Sequence, residues 1–190
     1  MDLLLASFDI ETTGTNERAD LILECAFQLI DPVGLGVRYE AQTLVHHSEE
    51  LKLDPTVREM HTENGLLADL LHPREGQHIV QGHRGLDMWL ADHFAGLEAA
   101  PGSIYLTGMS IHFDRKFLQV KCPLACAFLH YRMIDLSTPR ELSRIWATLG
   151  APQLPKVEKI PHRAMDDVKL AVKTLAWVQE NIWRTTAPGR

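Results

Sequence analysis

Residues 7–14, "SFDIETTG", set two carboxylates, Asp9 and Glu11, inside a run that otherwise reads as a buried strand. Residues i and i+2 of a strand share a face, so the two acids project side by side while Phe8 and Ile10 point the other way. No basic residue in the stretch offsets them. A buried carboxylate without a partner is costly or gives up its charge. A fold that contains this strand must bring a cation to it, or else the strand frays at Asp9 and leaves both acids in water. For a lone D-x-E pair the solvated reading is the better one, because so short a motif arises often by chance.

The surrounding pattern sets the fold class. Apolar runs at 3–10 and 21–30 and an alternating segment at 35–46, separated by turn-rich stretches, predict an antiparallel meander of three strands. Residues 54–71 read as one or two short helices, 72–85 as a loop, and 86–99 as an amphipathic helix closed by "PGS". The chain then alternates: strand "IYLTG", helix 112–121, strand "YRMID", and helix "STPRELSRIWATLG" with a Ser/Thr cap, an early Pro and a terminal Gly. A loop and a last helix over 163–183 follow. This is an α/β fold, a mixed sheet of three antiparallel strands then two parallel ones, flanked by helices. The 190 residues, 45% hydrophobic, suit one domain spanning 1–190.

Charge and cysteines bound the function. A net charge of −6 argues against a broad basic surface that holds long nucleic acid. It leaves room for a small phosphate-bearing substrate, because bound divalent cations reverse the local sign. The start, "MDLLLASF", is too short for a secretory apolar region and lacks basic residues before it. No stretch is long enough to span a bilayer. Cys25, Cys122 and Cys126 cannot all pair within the chain and lack zinc-ligand spacing. A cytoplasmic chain with no membrane association is expected.

Further acids change the weight of the D-x-E pair. "HFDRKFL" puts Asp114 in the first turn of a helix, where the helix dipole alone favours an acid. "PHRAMDDVKLAV" offers His162, Asp166 and Asp167. Ala164, Val168, Ala171, Leu175, Val178 and Ile182 form an apolar stripe at helical spacing. At about 100° per residue, Asp167 lies about 60° from the centre of that stripe and Asp166 points nearly opposite. Asp167 therefore faces the sheet and Asp166 the solvent. Pro161 leaves His162 in the preceding loop, free to swing inward. Oxygen-only ligands favour a hard divalent ion such as Mg²⁺ or Mn²⁺. A pair of such ions serves in-line phosphoryl displacement, and a histidine titrating near neutrality suits the attacking water as a base.

Asp9, Glu11, Asp114 and Asp167, with His162 five residues before the last, reproduce in order the pattern of the DEDDh 3′→5′ exonucleases, whose fold is ribonuclease H-like. "VHHSEELKLDPTVREMHTENGL" and "GMSIHFDRKFL…FLHYRMIDLSTPRELSRIW" resemble the oligoribonuclease branch, and the similarity runs from about residue 5 to about residue 180. The resemblance implies that Asp9, Glu11 and Asp167 hold two divalent cations, Mg²⁺ or Mn²⁺. It implies that Asp114 supports the second and that His162 deprotonates the attacking water. It places Ser110, Arg132 and Ser137 on the substrate's 5′ phosphate. It places His130 and Tyr131 across the interface of a homodimer, and Thr12, Thr13, Gly14 and Thr15 at the 3′ nucleotide. Simpler roles stand beside these: a strand-end salt bridge for Arg132, a helix cap for Ser137, core packing for Tyr131.

Two positions depart from the branch. Thr15 stands where a Leu usually wedges under a base, and no aromatic residue stands near Thr56 and Val57 where a Trp usually stacks. Preference for dinucleotides is left open by these changes. The expected activity is metal-dependent 3′→5′ exonucleolytic hydrolysis of short single-stranded RNA to 5′-mononucleotides. Single-stranded DNA or longer oligonucleotides are the alternative substrate. A non-catalytic module that binds nucleic acid or a partner on the same fold is the alternative class, disfavoured because no carboxylate of the set is missing. His46 and His47 are expected to be exposed at a strand end, His83 to lie in a loop, and Trp177 to pack against a neighbour.

Overall fold

The computed structural model describes residues 4–155 and 162–184. Its strands are β1 Leu4–Thr12, β2 Ile22–Ile30, β3 Val37–His46, β4 Ile79–Gln81, β5 Ile104–Gly108 and β6 Leu129–Asp135. They form one six-stranded sheet in the order β4-β3-β2-β1-β5-β6. β1 pairs antiparallel with β2 and β2 with β3, while β5 runs parallel to β1 and β6 parallel to β5. The meander followed by two parallel strands is the expected fold.

β4 corrects the reading of residues 72–85 as a loop. Ile79–Gln81 pairs parallel with Leu44–His46 at the sheet edge. Three residues are too short a run for alternation to show; only the neighbouring strand makes them one.

The helices are α1 Pro55–Glu63, α2 Leu66–Leu71, α3 Gly82–Gly96, α4 Ile111–Lys121, α5 Pro123–Cys126, α6 Ser137–Ile145 and α7 Ala164–Val178. None is long and apolar enough to cross a membrane among the described residues. α1 starts as its sequence dictates, with Pro55 in the first turn and the Asp54 side chain accepting the Thr56 N–H at 2.9 Å. α3 begins four residues earlier than the pattern suggested, so His83 is helical and not a loop residue. α6 lacks its expected hydroxyl cap. Leu136 holds the cap position, Ser137 is the first helical residue, and Asp135 Oδ1 accepts its N–H at 2.9 Å. α7 stops at Val178 and passes into a π-helical turn over Gln179–Arg184.

Every residue of β2 is buried, because helices cover both faces of the central strands. On one face Phe8, Ile10 and Phe27 meet Leu86, Leu90 and Phe94 of α3 and Phe117 of α4. Each of these fully buried rings contributes about 2–3 kcal/mol. On the other face Ala26 meets Ala164 and Val168 of α7. These small side chains let α7 approach closely, and Ser7 Oγ donates to the Val168 carbonyl at 3.0 Å. Ser7, Asp9 and Glu11 therefore face α7. Gly108 fixes the other flank: a Cβ there would lie 2.8 Å from the Phe8 carbonyl oxygen. Any side chain at this position would push the end of β5 away from the strand that carries Asp9.

Candidate active site

β1 delivers Asp9 and Glu11, and the first turn of α7 delivers Asp167, to one point. One carboxylate oxygen from each lies within 4.8 Å of the others. Asp166 is exposed and Asp167 half-buried, as the helical periodicity required. Asp114 reaches the same strand from α4. It is buried, and its Oδ1 accepts the Ile10 N–H at 2.9 Å, between the two acids of β1.

This concentration of negative charge has a clear electrostatic signature. Burial, and then Asp114, Glu11 and Asp167, hold the Asp9 carboxyl well above its ordinary range. Burial followed by Asp167 and Glu24 pushes Glu11 up to about 9. Burial raises Asp114 to about 8 against the pull of its N–H donors. Burial raises Asp167 to about 6, with His162 pulling it back. Without a countercharge Glu11 and Asp114 hold protons near neutrality. Converging carboxylate oxygens with depressed acidity fit a divalent cation, which would restore their charge.

His162 precedes α7 with a left-handed backbone (φ 52°) and an exposed side chain; its carbonyl accepts from the Asn64 amide. The expectation for Pro161 lies outside the described residues.

Two buried groups beside the cluster escaped the sequence reading. Glu24 sits opposite Glu11 in the β1–β2 register. It accepts Arg163 Nη2 at 2.8 Å, Arg163 Nε at 3.1 Å and the Ala164 N–H at 3.0 Å. Arg163 Nη1 also lies 2.9 Å from Asp69. The guanidinium beside the site is thus committed to Glu24 and Asp69, not to Asp9 and Glu11. His61 is fully buried, with Nε2 3.0 Å from the Thr12 carbonyl and 3.8 Å from Glu11. Burial holds it below the ordinary histidine range, so it donates as a neutral ring. A lone acid in the apolar run "LILECAFQLI" was the available signal for Glu24.

The structure brings Ser110 and Ser137 together. The Ser110 N–H lies 2.7 Å from Ser137 Oγ, and the two hydroxyl oxygens are 3.1 Å apart. Asp135 joins them by accepting both N–H groups. Burial works to raise the Asp135 carboxyl, but hydrogen bonds from His112 and Ser137 hold it below its usual range. Arg132 is exposed, with its guanidinium 5.0 Å over the Tyr131 ring, and among the described residues no ion pair holds it. Tyr131 is 68% exposed, which removes the reading of it as core. His130 turns back into its own chain and stacks on Tyr105 with ring centroids 3.9 Å apart.

Around the 3′-nucleotide candidates, Thr12 Oγ1 donates to the Gly14 carbonyl at 2.7 Å. Thr13 is buried and spends its hydroxyl on Asp20 and the Leu21 N–H. Gly14 packs so tightly that a Cβ would lie 2.5 Å from Asp20. Thr15 is exposed, and its carbonyl accepts from Lys116 Nζ at 2.9 Å.

Behind this loop His83 accepts the Ile22 N–H while His47 meets the Ile22 carbonyl, and the rings are 4.9 Å apart. His47 is accordingly half-buried, not exposed like His46. An apolar cavity of about 940 Å³ lies between α6 and the end of α7 among Met133, Leu142 and Trp146, and none of the clustered carboxylates lines it.

A family model described as Exonuclease matches residues 7–175. The mitochondrial oligoribonuclease of Mus musculus is 31% identical over 179 residues, covering 93% of this chain and 72% of that protein. An oligoribonuclease of Mycobacterium sp. (strain KMS) is 29% identical over 182 residues, covering 93% and 80%. Among solved structures, E. coli Exonuclease I in complex with a dT13 oligonucleotide superposes with a TM-score of 0.64 at 14% identity. That alignment covers 97% of this chain but only 42% of that longer one. The matched span contains the whole carboxylate cluster, and the chain belongs to the Exonuclease family, within the ribonuclease H-like superfamily, with oligoribonucleases as relatives.

Proposed function

We propose that this chain is a metal-dependent 3′→5′ exonuclease that hydrolyses short single-stranded oligoribonucleotides to 5′-mononucleotides, with Mg²⁺ or Mn²⁺ as its ions. The convergence of Asp9, Glu11 and Asp167 oxygens within 4.8 Å carries this reading. Two divalent cations held there would supply charge stabilisation at the scissile phosphodiester. Asp9, Glu11 and Asp167 would hold them, and Asp114 would fix the strand between the first two through the Ile10 N–H. His162, exposed just before α7 and five residues from Asp167, would take the proton from the attacking water. The water oxygen bonds to the last phosphorus, the bond to the 3′ oxygen breaks, and that oxygen leaves on the shortened strand and takes a proton from solvent to become its terminal hydroxyl.

Ser110 and Ser137 would receive the substrate's 5′ phosphate with Arg132, and Thr12 to Thr15 would flank its 3′ nucleotide. Tyr131, exposed on the edge strand β6, would reach the site of a second copy in a homodimer. The oligoribonuclease relatives support RNA over DNA.

Digestion of 5′-labelled RNA and DNA of two to about twenty nucleotides with Mn²⁺, a range that spans one short binding site, tests this. Stepwise shortening from the 3′ end is expected, fastest on short RNA. Asp9→Asn should abolish it, and His162→Ala should lower kcat by about 10²–10⁴ without loss of stability. No turnover on any oligonucleotide would overturn the reading.

A further inference from the structure

We propose that the cleft between α6 and α7 binds the next nucleotide on the 5′ side of an oligonucleotide longer than two residues. Its phosphate lies between Arg140 and Lys173, and its base lies against Trp177. This extends the exonuclease reading of the carboxylate site and rests on it.

The cleft has a volume of about 220 Å³, and its lining includes Met109, Arg140, Leu170, Lys173, Thr174 and Trp177. Its two walls both start at the candidate site. On α7, Asp167, Leu170, Thr174 and Trp177 follow one another at three- and four-residue spacing and so share one stripe of the helix. That stripe runs about 15 Å from the carboxylate cluster to the indole. On the opposite wall Met109 directly precedes Ser110, and Arg140 lies one turn beyond Ser137 on α6. The paired serines therefore stand one residue from Met109 and one helical turn from Arg140, at the Asp167 end of the cleft.

Charge identifies the occupant. Arg140 and Lys173 are exposed and have neither a hydrogen-bond nor an ion-pair partner among the described residues. Neighbouring arginines are spent differently: Arg144 on Glu141 at 2.8 Å and Arg163 on Glu24 at 2.8 Å. In a chain of net charge −6, two uncommitted cations on one small cleft are a local reversal of sign. A free anion would need only the cations. The floor of Leu170, Met109 and half-buried Trp177 adds an apolar surface sized for one ring system, which a nucleobase covers and a lone phosphate does not.

The test is calorimetric binding of nuclease-resistant phosphorothioate di- and tetraribonucleotides with Mn²⁺, beside turnover of the unmodified pair. The full-length chain is compared with its Arg140→Ala/Lys173→Ala variant. Both side chains are exposed, so the variant should keep the wild-type Tm. The wild type should bind the tetranucleotide about 10-fold more tightly than the dinucleotide, the size of one stacked base and its phosphate. The variant should lose most of that advantage, and its salt dependence for the tetranucleotide should be shallower by about 0.7 per cation removed. Dinucleotide turnover should stay within about two-fold of wild type, because no lost contact reaches it.

Equal wild-type affinity for both lengths, or a length advantage undiminished in the variant, would overturn this inference while turnover keeps the exonuclease reading. A parallel loss on di- and tetranucleotide would overturn it too, placing the cations at the dinucleotide itself. No binding and no turnover of either would overturn both.

Discussion

Arg163 lies across the Glu24 carboxylate, Nη2 to Oε1 at 2.8 Å and Nε to Oε2 at 3.1 Å, although 139 positions separate the two in the chain. Glu24 also takes the Ala164 N–H at 3.0 Å, so one buried acid on β2 fastens the first turn of α7 to the sheet. The residue before Arg163 is His162 and the residue four after it is Asp167. The register of α7 against β1, and with it the approach of Asp167 to Asp9 and Glu11, depends on this contact.

Removing one side of such a pair leaves an uncompensated buried charge. Arg163→Met should therefore cost about 3–5 kcal/mol in urea unfolding. Adding Glu24→Gln to it should restore part of that loss, since the remaining amide needs no countercharge. Equal stability of the single and double variants would show that Glu24 does not depend on Arg163.

The carboxylate cluster makes stability depend on pH and on cations together. Glu11 titrates near 9 against an ordinary 4.5, and Asp114 near 8 against 3.8, when no cation is present. Between those limits the folded chain holds protons that the unfolded chain has released, so stability falls as pH rises. The Tm of the chelator-treated protein should decline from pH 5.5 to pH 8.5. Saturating Mn²⁺ should raise it by about 5–10 °C at pH 8 and by less at pH 5.5, where protons compete. A cation-induced rise independent of pH, or no rise, would contradict the cluster as the binding site.

The inward position of Asp167 was legible because helical phase alone separates it from Asp166, and the shared face of Asp9 and Glu11 follows from strand geometry. The meander was legible for the same reason: its strands are long enough for a period to show. Glu24 was not, because a single acid in an apolar run carries no spacing signal and its cation is remote in sequence. β4 borrows its conformation from β3, so its three residues say nothing alone. The α6 cap was misread because Asp135, at the end of the preceding strand, takes the role that the serine suggested.

His83 offers a second pH dependence, of opposite sign. Burial, then His47 and Lys121, hold it down to about 4 from 6.5, and its Nε2 accepts the Ile22 N–H at 3.1 Å. A ring that must stay neutral to accept this bond stabilises the fold fully above pH 6.5, and that contribution is lost as pH falls toward 4. The half-buried setting limits it to about 1 kcal/mol. His83→Gln keeps an acceptor that does not titrate. The wild type should lose about 1 kcal/mol relative to this variant between pH 7 and pH 4, read by urea unfolding at each pH. Parallel pH curves would rule out the neutral-acceptor role.

Adjacent residues of β6 face opposite fates. His130 stacks on Tyr105 and its carbonyl accepts from Arg115. Tyr131 points outward at the sheet edge, 68% exposed. His130→Ala should lower stability, whereas Tyr131→Ala should leave Tm unchanged and lower turnover, because its proposed partner is the site of a second copy. Mixing distinguishes a role across the interface from one within the chain. Asp9→Asn and Tyr131→Ala proteins are each impaired alone. In a dimer containing one of each, one site keeps Asp9 and receives an intact Tyr131 from its partner. After subunit exchange about a quarter of all sites should regain activity, since half the dimers are mixed and one site in each is whole. Activity that stays at the sum of the separate proteins, with exchange confirmed by sedimentation of differently labelled chains, would place Tyr131 outside the partner's site.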